Sequence, residues 1–284
     1  MTACQFSTTR TTIRAGVSGG TRAGGASPKS WASSGQITSG VKVPITVVGH
    51  GVDDIFAPGA EVRSSGTFDI ITSFSGYSFP RRKGLPELVE AFCEAFRGRS
   101  DVRLRIRSHP TEEVREIVER SAAGSQITLE TLRWGTPDRV AWFLRSGHVL
   151  AHPSRAEGFG LLALQGMACG MPVVSTAVSG LADFVSTGRA IVVRSGPLEP
   201  GYSWDNQPGM QHSVDVAHLA ECLSLAHREF SSWSAFARTN ARNIREDYSW
   251  LRVLAPLKTV VDQFLELSTG QELPNTSGQD CGQP

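Results

Sequence analysis

The sequence has no C-x-x-C pair, and its five cysteines (Cys4, Cys93, Cys169, Cys222 and Cys281) stand far apart. An odd and scattered set argues against a disulfide framework and against a zinc site. Buried thiols in a reducing cytoplasm are the state expected of them. No apolar run approaches the roughly 18 residues that cross a bilayer, so no transmembrane segment is expected. Neither sign of charge dominates: the net charge is +1 and 19% of the residues are charged. Such a chain is not built to bind a polyanion as a whole, which speaks against nucleic acid as a partner. An Asp-x-Asp metal motif is absent throughout. Residues 1–40 contain no acidic residue at all; they are rich in Ser, Thr, Gly and Ala, with Arg10, Arg14, Arg22 and Lys29. That segment cannot bury enough apolar surface to offset its ordering entropy, and residues 1–29 are expected to be disordered. Its composition loosely fits an organellar transit peptide, but no amphipathic helix is visible and glycine is abundant.

What the chain does have is length and periodicity. With 284 residues and 40% hydrophobic content it can build one large core or two modest ones. Phe68–Phe74 reads as a buried strand, and Leu85–Phe96 places Leu85, Leu88, Val89, Phe92 and Phe96 on one helical face. Val102–Arg107 alternates apolar residues with arginine, as a strand with one wetter face does. Thr111 N-caps a helix ahead of Glu112 and Glu113. Gln126–Leu132 is a third strand, Thr136-Pro137 starts a helix, and His148–His152 is a fourth strand. Leu161–Cys169 is helical and stops at Gly170. Pro172–Val178 and Ala190–Val193 are strands, while Asp215–Phe230, Ser231–Tyr248 and Trp250–Leu267 are helical.

Strand alternating with helix predicts an α/β fold, a Rossmann-like parallel sheet with flanking helices, because parallel neighbours need crossover connections. Ligands of such sheets bind beyond the carboxyl ends of the strands. The loops to inspect are 75–84, 107–111, 133–136 and 153–160. In the last, Gly158 and Gly160 let a ligand approach the backbone, and the following helix aims N–H groups and its positive end at the same spot. A phosphate suits that place. Loop 75–84 brings Arg81, Arg82 and Lys83, cations suited to a diphosphate. Gly158-x-Gly160-x-x-Ala163 also matches the dinucleotide fingerprint, with Asp183 where a ribose-binding acid would follow. Two features count against an NAD site: Ser154–Glu157 separate the glycines from their strand, and several strands precede them. Among other candidates, His109 borders the expected nucleotide loop and His148 reads as packed. Ser154 is a loop hydroxyl beside Glu157, Trp134 sits at a helix entrance, and Ser179-Gly180 is a second edge for a pocket.

Together these pieces resemble a known family. E-G-F-G-L-L-A-L-Q-G-M-A-C-G-M-P-V-V, from Glu157, is similar to the E-x7-E segment of retaining GT-B glycosyltransferases, the group 1 family or family 4. V-V-G-H-G-V-D-D-I-F-A-P (Val47–Pro58), R-K-G-L-P-E-L-V-E-A-F (Arg82–Phe92) and P-S-R-A-E-G-F-G resemble the family's other segments, in the family's order. The resemblance runs from about residue 30 to residue 265 and implies the second half of a GT-B fold. It implies a domain plan: 30–60 a remnant of the first domain and an interdomain segment, 61–250 the nucleotide-sugar-binding domain, 251–267 a C-terminal helix, 268–284 a flexible tail. It implies sugar transfer with retention from a nucleotide-diphospho-sugar donor, with no cofactor and no metal, in the cytoplasm.

The resemblance also implies roles. Glu157 would contact donor-sugar hydroxyls, and Gly158, Phe159, Gly160 and Leu161 would face sugar and diphosphate. Arg82 and Lys83 would neutralise the leaving diphosphate. Ser154 and His109 are candidate donor contacts by their loop positions rather than by the resemblance, with a structural role the alternative. Gln165 occupies the place of the second acid, which binds ribose; an amide there is expected to weaken donor binding by about 1–2 kcal/mol. The arginine usual before the K-G lysine is missing from S-G-Y-S-F-P, and Arg82 is its substitute. The part of a first domain that supplies the acceptor site is also missing. The acceptor, glycan or lipid, is therefore unspecified, and the chain is read as a truncated or mis-started product or as half of a two-chain transferase. A non-catalytic module that pairs with another chain is the alternative reading.

Overall fold

The computed structural model describes residues 46–59, 66–75, 79–121, 126–131, 136–186, 188–201 and 209–269, with side chains to residue 265. The expectations for residues 1–45, for Trp134 and for the tail beyond residue 269 lie outside the described residues. Six parallel strands form the centre: β1 (Phe68–Ser73), β2 (Val102–Ser108), β3 (Ile127–Thr131), β4 (Val149–His152), β5 (Val173–Thr176) and β6 (Ile191–Val193). Their order is β3-β2-β1-β4-β5-β6. The helices between them are α1 (Leu85–Ala95), α2 (Glu112–Glu119), α3 (Pro137–Arg145), α4 (Leu161–Ala168) and the short α5 (Ala182–Val185). After the sheet come α6 (Val216–Arg228), α7 (Phe230–Asp247), α8 (Trp250–Val253) and α9 (Ala255–Thr269).

The strand pattern explains the layers. On β2, Val102, Leu104 and Ile106 are buried against α1 and α6, while Arg103, Arg105 and Arg107 point to the other face. On that other face Ile71, Leu150 and Val173 pack with α3, α4 and α5. Two arginines of the row share one fully buried acid. Asp69 of β1 accepts from Arg103 Nε and Nη2, both at 2.9 Å, and from Arg105 Nη1 at 3.3 Å. Its own N–H donates to His148 Nδ1 at 3.0 Å, and His148 stacks on Phe68, so His148 is packed as expected.

Several ends follow the local chemistry. The Thr111 hydroxyl accepts from Val114 N–H, and Pro137 opens α3. Gly170 follows α4 at φ +76°, the left-handed turn that glycine makes at least cost. The predicted single helix from Trp250 is two, α8 and α9, because Pro256 has no N–H to give to the Arg252 carbonyl. An antiparallel pair that the sequence did not announce, β7 (Ser195–Gly201) and β8 (Gly209–Val214), stands off the main sheet between β6 and α6. Its S-G-P-L-E-P-G run carries two prolines and no apolar alternation, so the strand signal is weak; proline is tolerated at such edges.

The segment from Gly51 to Ala57 docks onto the domain. Val52 N–H donates to Tyr248 O at 2.8 Å, Trp250 Nε1 to Asp53 Oδ1 at 2.6 Å, and Arg145 to the carbonyls of Ile55 and Ala57. A Cβ at Gly51 would stand 2.4 Å from the Trp250 ring, which is why glycine lies there. Among the described residues no helix is long and apolar enough to cross a membrane, and Cys93, Cys169 and Cys222 are unbonded.

Candidate active site

The strand order reverses between β1 and β4, so the loops leaving these neighbours open a crevice at the carboxyl edge. Residues 79–84, after β1, and loop 153–160, after β4, are laced together by a main-chain bond and a side-chain bond. Arg155 N–H donates to Arg82 O at 2.9 Å, and Arg82 Nη1 donates to Ala156 O at 2.6 Å. Gly84, which precedes α1, has φ +70°, and a Cβ there would lie 2.0 Å from Pro153 O; only glycine allows the two loops this close.

Glu157 is the centre of the crevice. Its side chain is 8% exposed and its Oε1 is paired with Lys83 Nζ. Ser154 Oγ donates to the same oxygen at 3.0 Å, and Arg82 Nη1 lies 3.8 Å from Oε2. His152, the last residue of β4, places Nε2 3.2 Å from Oε1 but outside hydrogen-bonding geometry. Ser154 is itself fully buried and its carbonyl accepts from Thr176 Oγ1 at 2.5 Å. The single hydroxyl proton of Ser154 is best placed toward Glu157, with the Arg82 carbonyl 3.3 Å from the same oxygen, so Ser154 is a positioning group for Glu157.

Burial alone would raise the Glu157 carboxyl, but His152 and Lys83 more than offset this and hold it well below the usual carboxylate range. Burial pushes the Lys83 ammonium below its usual range, and Glu157 opposes that shift. Because the folded state lowers Glu157 from its ordinary 4.5, its contribution to stability is present above that pH and is lost as pH falls below it. Glu157→Gln is therefore expected to melt below the natural chain at neutral pH, with the gap narrowing in acid. Thermal melts from about pH 7 down to about pH 2 check it, because the linkage acts only below the ordinary 4.5; a constant gap would contradict it.

The glycines complete the site. Gly160 precedes α4 at φ +88°, and its absent Cβ would meet Leu181 at 2.2 Å. Gly180 N–H donates to Glu157 O at 3.2 Å, and a Cβ at Gly180 would lie 2.1 Å from Gly158 O. Ser179-Gly180 is therefore the second edge of the crevice. Ser179 adopts φ +49°, a left-handed conformation that costs a non-glycine residue about 1 kcal/mol or more. Gly158 differs from both, since nothing lies within 4 Å of its missing Cβ. Among the described residues no packing demands glycine there, and the space beside it is open.

The other predicted residues fall as follows. Phe159 packs with His50, Phe184 and Tyr248, so its backbone rather than its ring faces the crevice. Leu161 opens α4, whose first N–H groups have no partner within the helix. Gln165 is half-buried in the second turn of α4. His109 follows β2 at the same edge of the sheet, where its carbonyl accepts from Thr111 N–H at 2.8 Å. Arg81 turns away, pairing with Glu113 of α2 at 3.0 Å, so two cations rather than three face Glu157. Sequence reasoning missed His152 and Arg155. A histidine ending an apolar strand beyond which a ligand edge is expected was the available sign for the first. A cavity of about 560 Å³ lies apart from this cluster, lined by Arg107, Asp138, Arg139, Trp142 and Arg145. Among the described residues no three His, Cys, Asp or Glu side chains converge as a metal site would require.

Residues 69–199, which span both crevice loops, match the family model described as "Glycosyl transferases group 1". The chain carries a group 1 glycosyltransferase domain. This domain is similar to the D-inositol 3-phosphate glycosyltransferase of Paenarthrobacter aurescens, 35% identical over 117 residues, 41% of this chain and 28% of that protein. The chain thus spans a little over a quarter of that relative's length. In fold it resembles sucrose-phosphate synthase from Thermosynechococcus elongatus, with TM-score 0.57 and 22% identity, covering 77% of this chain and 52% of the other. It also resembles Anabaena HepE in complex with UDP and glucose, with TM-score 0.56 and 15% identity, covering 78% and 57%. The α/β architecture of the group 1 domain is that of GT-B glycosyltransferases, with its six-stranded parallel sheet.

Proposed function

We propose that the chain is the donor-binding half of a retaining glycosyltransferase that uses a nucleotide-diphospho-sugar. The observation that carries this reading is the buried Glu157 carboxylate flanked by Lys83 and Arg82 beside the start of α4. The two cations and the free N–H groups of α4 meet the diphosphate, taking the place of a divalent metal ion, and no cofactor is involved. Glu157 accepts hydroxyls of the sugar. In the step itself the bond from the anomeric carbon to the phosphate oxygen breaks, and its electron pair stays on that oxygen. Arg82 and Lys83 stabilise the charge that develops there. The acceptor hydroxyl attacks from the same face and its proton passes to the departing phosphate. Gln165 presents one acceptor and two donors to the ribose where a carboxylate would present two acceptors.

Titration calorimetry with UDP-, GDP- and ADP-glucose tests this reading, with binding of one of them in the millimolar range or tighter expected. Gln165→Glu is expected to tighten that binding about tenfold, the worth of a neutral hydrogen bond becoming a charged one. Unchanged or weaker binding by Gln165→Glu would remove Gln165 from the ribose site.

A second reading is favoured by the C-terminal helices. Leu251 of α8 and Phe264 of α9 are 89% and 69% exposed, and Leu254, Leu257, Val261 and Leu265 are exposed around them. A patch of this kind suits burial against another unit. On this reading the chain pairs with an acceptor-binding half, carried on the same polypeptide or on a second one, and is inactive without it. Nucleotide release from a donor by the isolated, monomeric chain in the presence of acceptor would sink that reading.

A further inference from the structure

A two-stranded ribbon is marginally stable alone, so something must hold β7–β8 where it stands. The anchor is a residue of the Glu157 loop. Arg155 Nε donates to His212 O at 3.0 Å, His212 N–H donates back to Arg155 O at 2.9 Å, and Arg155 Nη2 pairs with Glu199. The third guanidinium nitrogen, Nη1, reaches Glu87 in the first turn of α1 at 3.1 Å. The Arg155 N–H is the one that laces the loop to Arg82 O. The arginine is 14% exposed on its side chain, and Glu87 is 15% exposed. The other Glu87 oxygen is buried without a hydrogen-bond partner among the described residues, and burial raises this carboxyl while Arg155, ahead of Arg81, opposes the shift. One side chain thus joins three elements, and it stands between Ser154 and Ala156, both of which contact the Arg82–Glu157 pair. Residues 200–214, including all of β8, lie past the stretch that matches the family model.

We propose that Arg155 is a positioning residue that couples the β7–β8 ribbon to the Glu157 loop, so that the ribbon's placement sets the rigidity of the candidate donor site. The ribbon and the loop then order and loosen together. A planar fork with nitrogens aimed at Glu87, Glu199 and the His212 carbonyl can do this, whereas lysine at the same place supplies one point charge. The inference rests on the proposed function only for what the loop holds, because coupling itself is read without any donor.

Amide hydrogen exchange followed by mass spectrometry tests it, on the whole chain, with peptides covering 153–160, 195–214 and the β1–β2 core. In Glu199→Gln, which leaves Arg155 and Glu87 in place, exchange is expected to quicken about tenfold in both 153–160 and 195–214, the loss of one charge-assisted bond, with the core unchanged. Arg155→Lys is expected to quicken the same two peptides, and adding Glu199→Gln to it should add less than it does alone. Faster exchange confined to 195–214, or no change in either peptide, would overturn the coupling. So would full additivity of the two substitutions. None of these outcomes depends on nucleotide binding, so failure of the donor reading is seen separately in the calorimetry.

Discussion

Lys83→Met is expected to lose about 10- to 100-fold in affinity for a nucleoside diphosphate, the worth of one charge-assisted contact to phosphate. The reasoning starts from geometry. Lys83 is held in place by Gly84, whose left-handed turn passes against Pro153, and by its pairing with Glu157. Burial has already taken water from the ammonium, so a diphosphate that reaches it interacts more strongly than it would at an open surface. Methionine keeps most of the length of the side chain and removes the charge. Glu157 then keeps Arg82, His152 and Ser154 about it, so the fold is expected to survive with a loss of about 1–3 kcal/mol. Binding is read by calorimetry and folding by thermal melting on the same sample. A variant that melts close to the natural chain yet binds the nucleotide equally well would show that Lys83 does not face the phosphates.

Asp69→Ala carries the largest expected stability effect away from the crevice, about 3 kcal/mol, or roughly 6–12 °C in melting temperature. Asp69 is fully buried, and burial is outweighed by Arg103 and Arg105, which hold its carboxyl below the usual range. Removing it leaves Arg105, only 12% exposed, with Glu130 as its remaining acid partner. The same acid fixes β1 against β2, and its backbone fixes β1 to His148 at the start of β4. These are the strands whose far ends carry Lys83 and Glu157, so weaker nucleotide binding is expected to accompany the lost stability. A loss below about 1 kcal/mol would mean that the two arginines rehydrate at little cost.

These two residues also mark how far the sequence could be read. The central strands were legible because both faces are covered, which leaves short apolar runs between turn residues. Lys83 and Glu157 were each legible because they stand beside glycine turns at the carboxyl edge of the sheet, but their pairing was not, since it joins two loops distant in sequence. Asp69 was not: F-D-I-I gives a buried strand, but its arginine partners lie on the next strand and nothing local predicts them. Whether Arg81 joins Arg82 and Lys83 was open in the sequence for a related reason, since adjacent loop residues point in different directions and Glu113 of the next helix pairs with it. The β7–β8 ribbon was illegible because its sequence carries prolines without apolar alternation, and its tie to the Glu157 loop through Arg155 joins residues distant in sequence.

The central claim is that the crevice between residues 79–84 and loop 153–160 holds a nucleotide-diphospho-sugar. Its most direct test is calorimetric titration of UDP-, GDP- and ADP-glucose into the folded chain, beside Lys83→Met. Saturable one-to-one binding of one donor, in the millimolar range or tighter and weakened at least about tenfold in the variant, is the predicted result. Binding of none of the three to a chain that melts cooperatively, or equal binding by the variant, would contradict it.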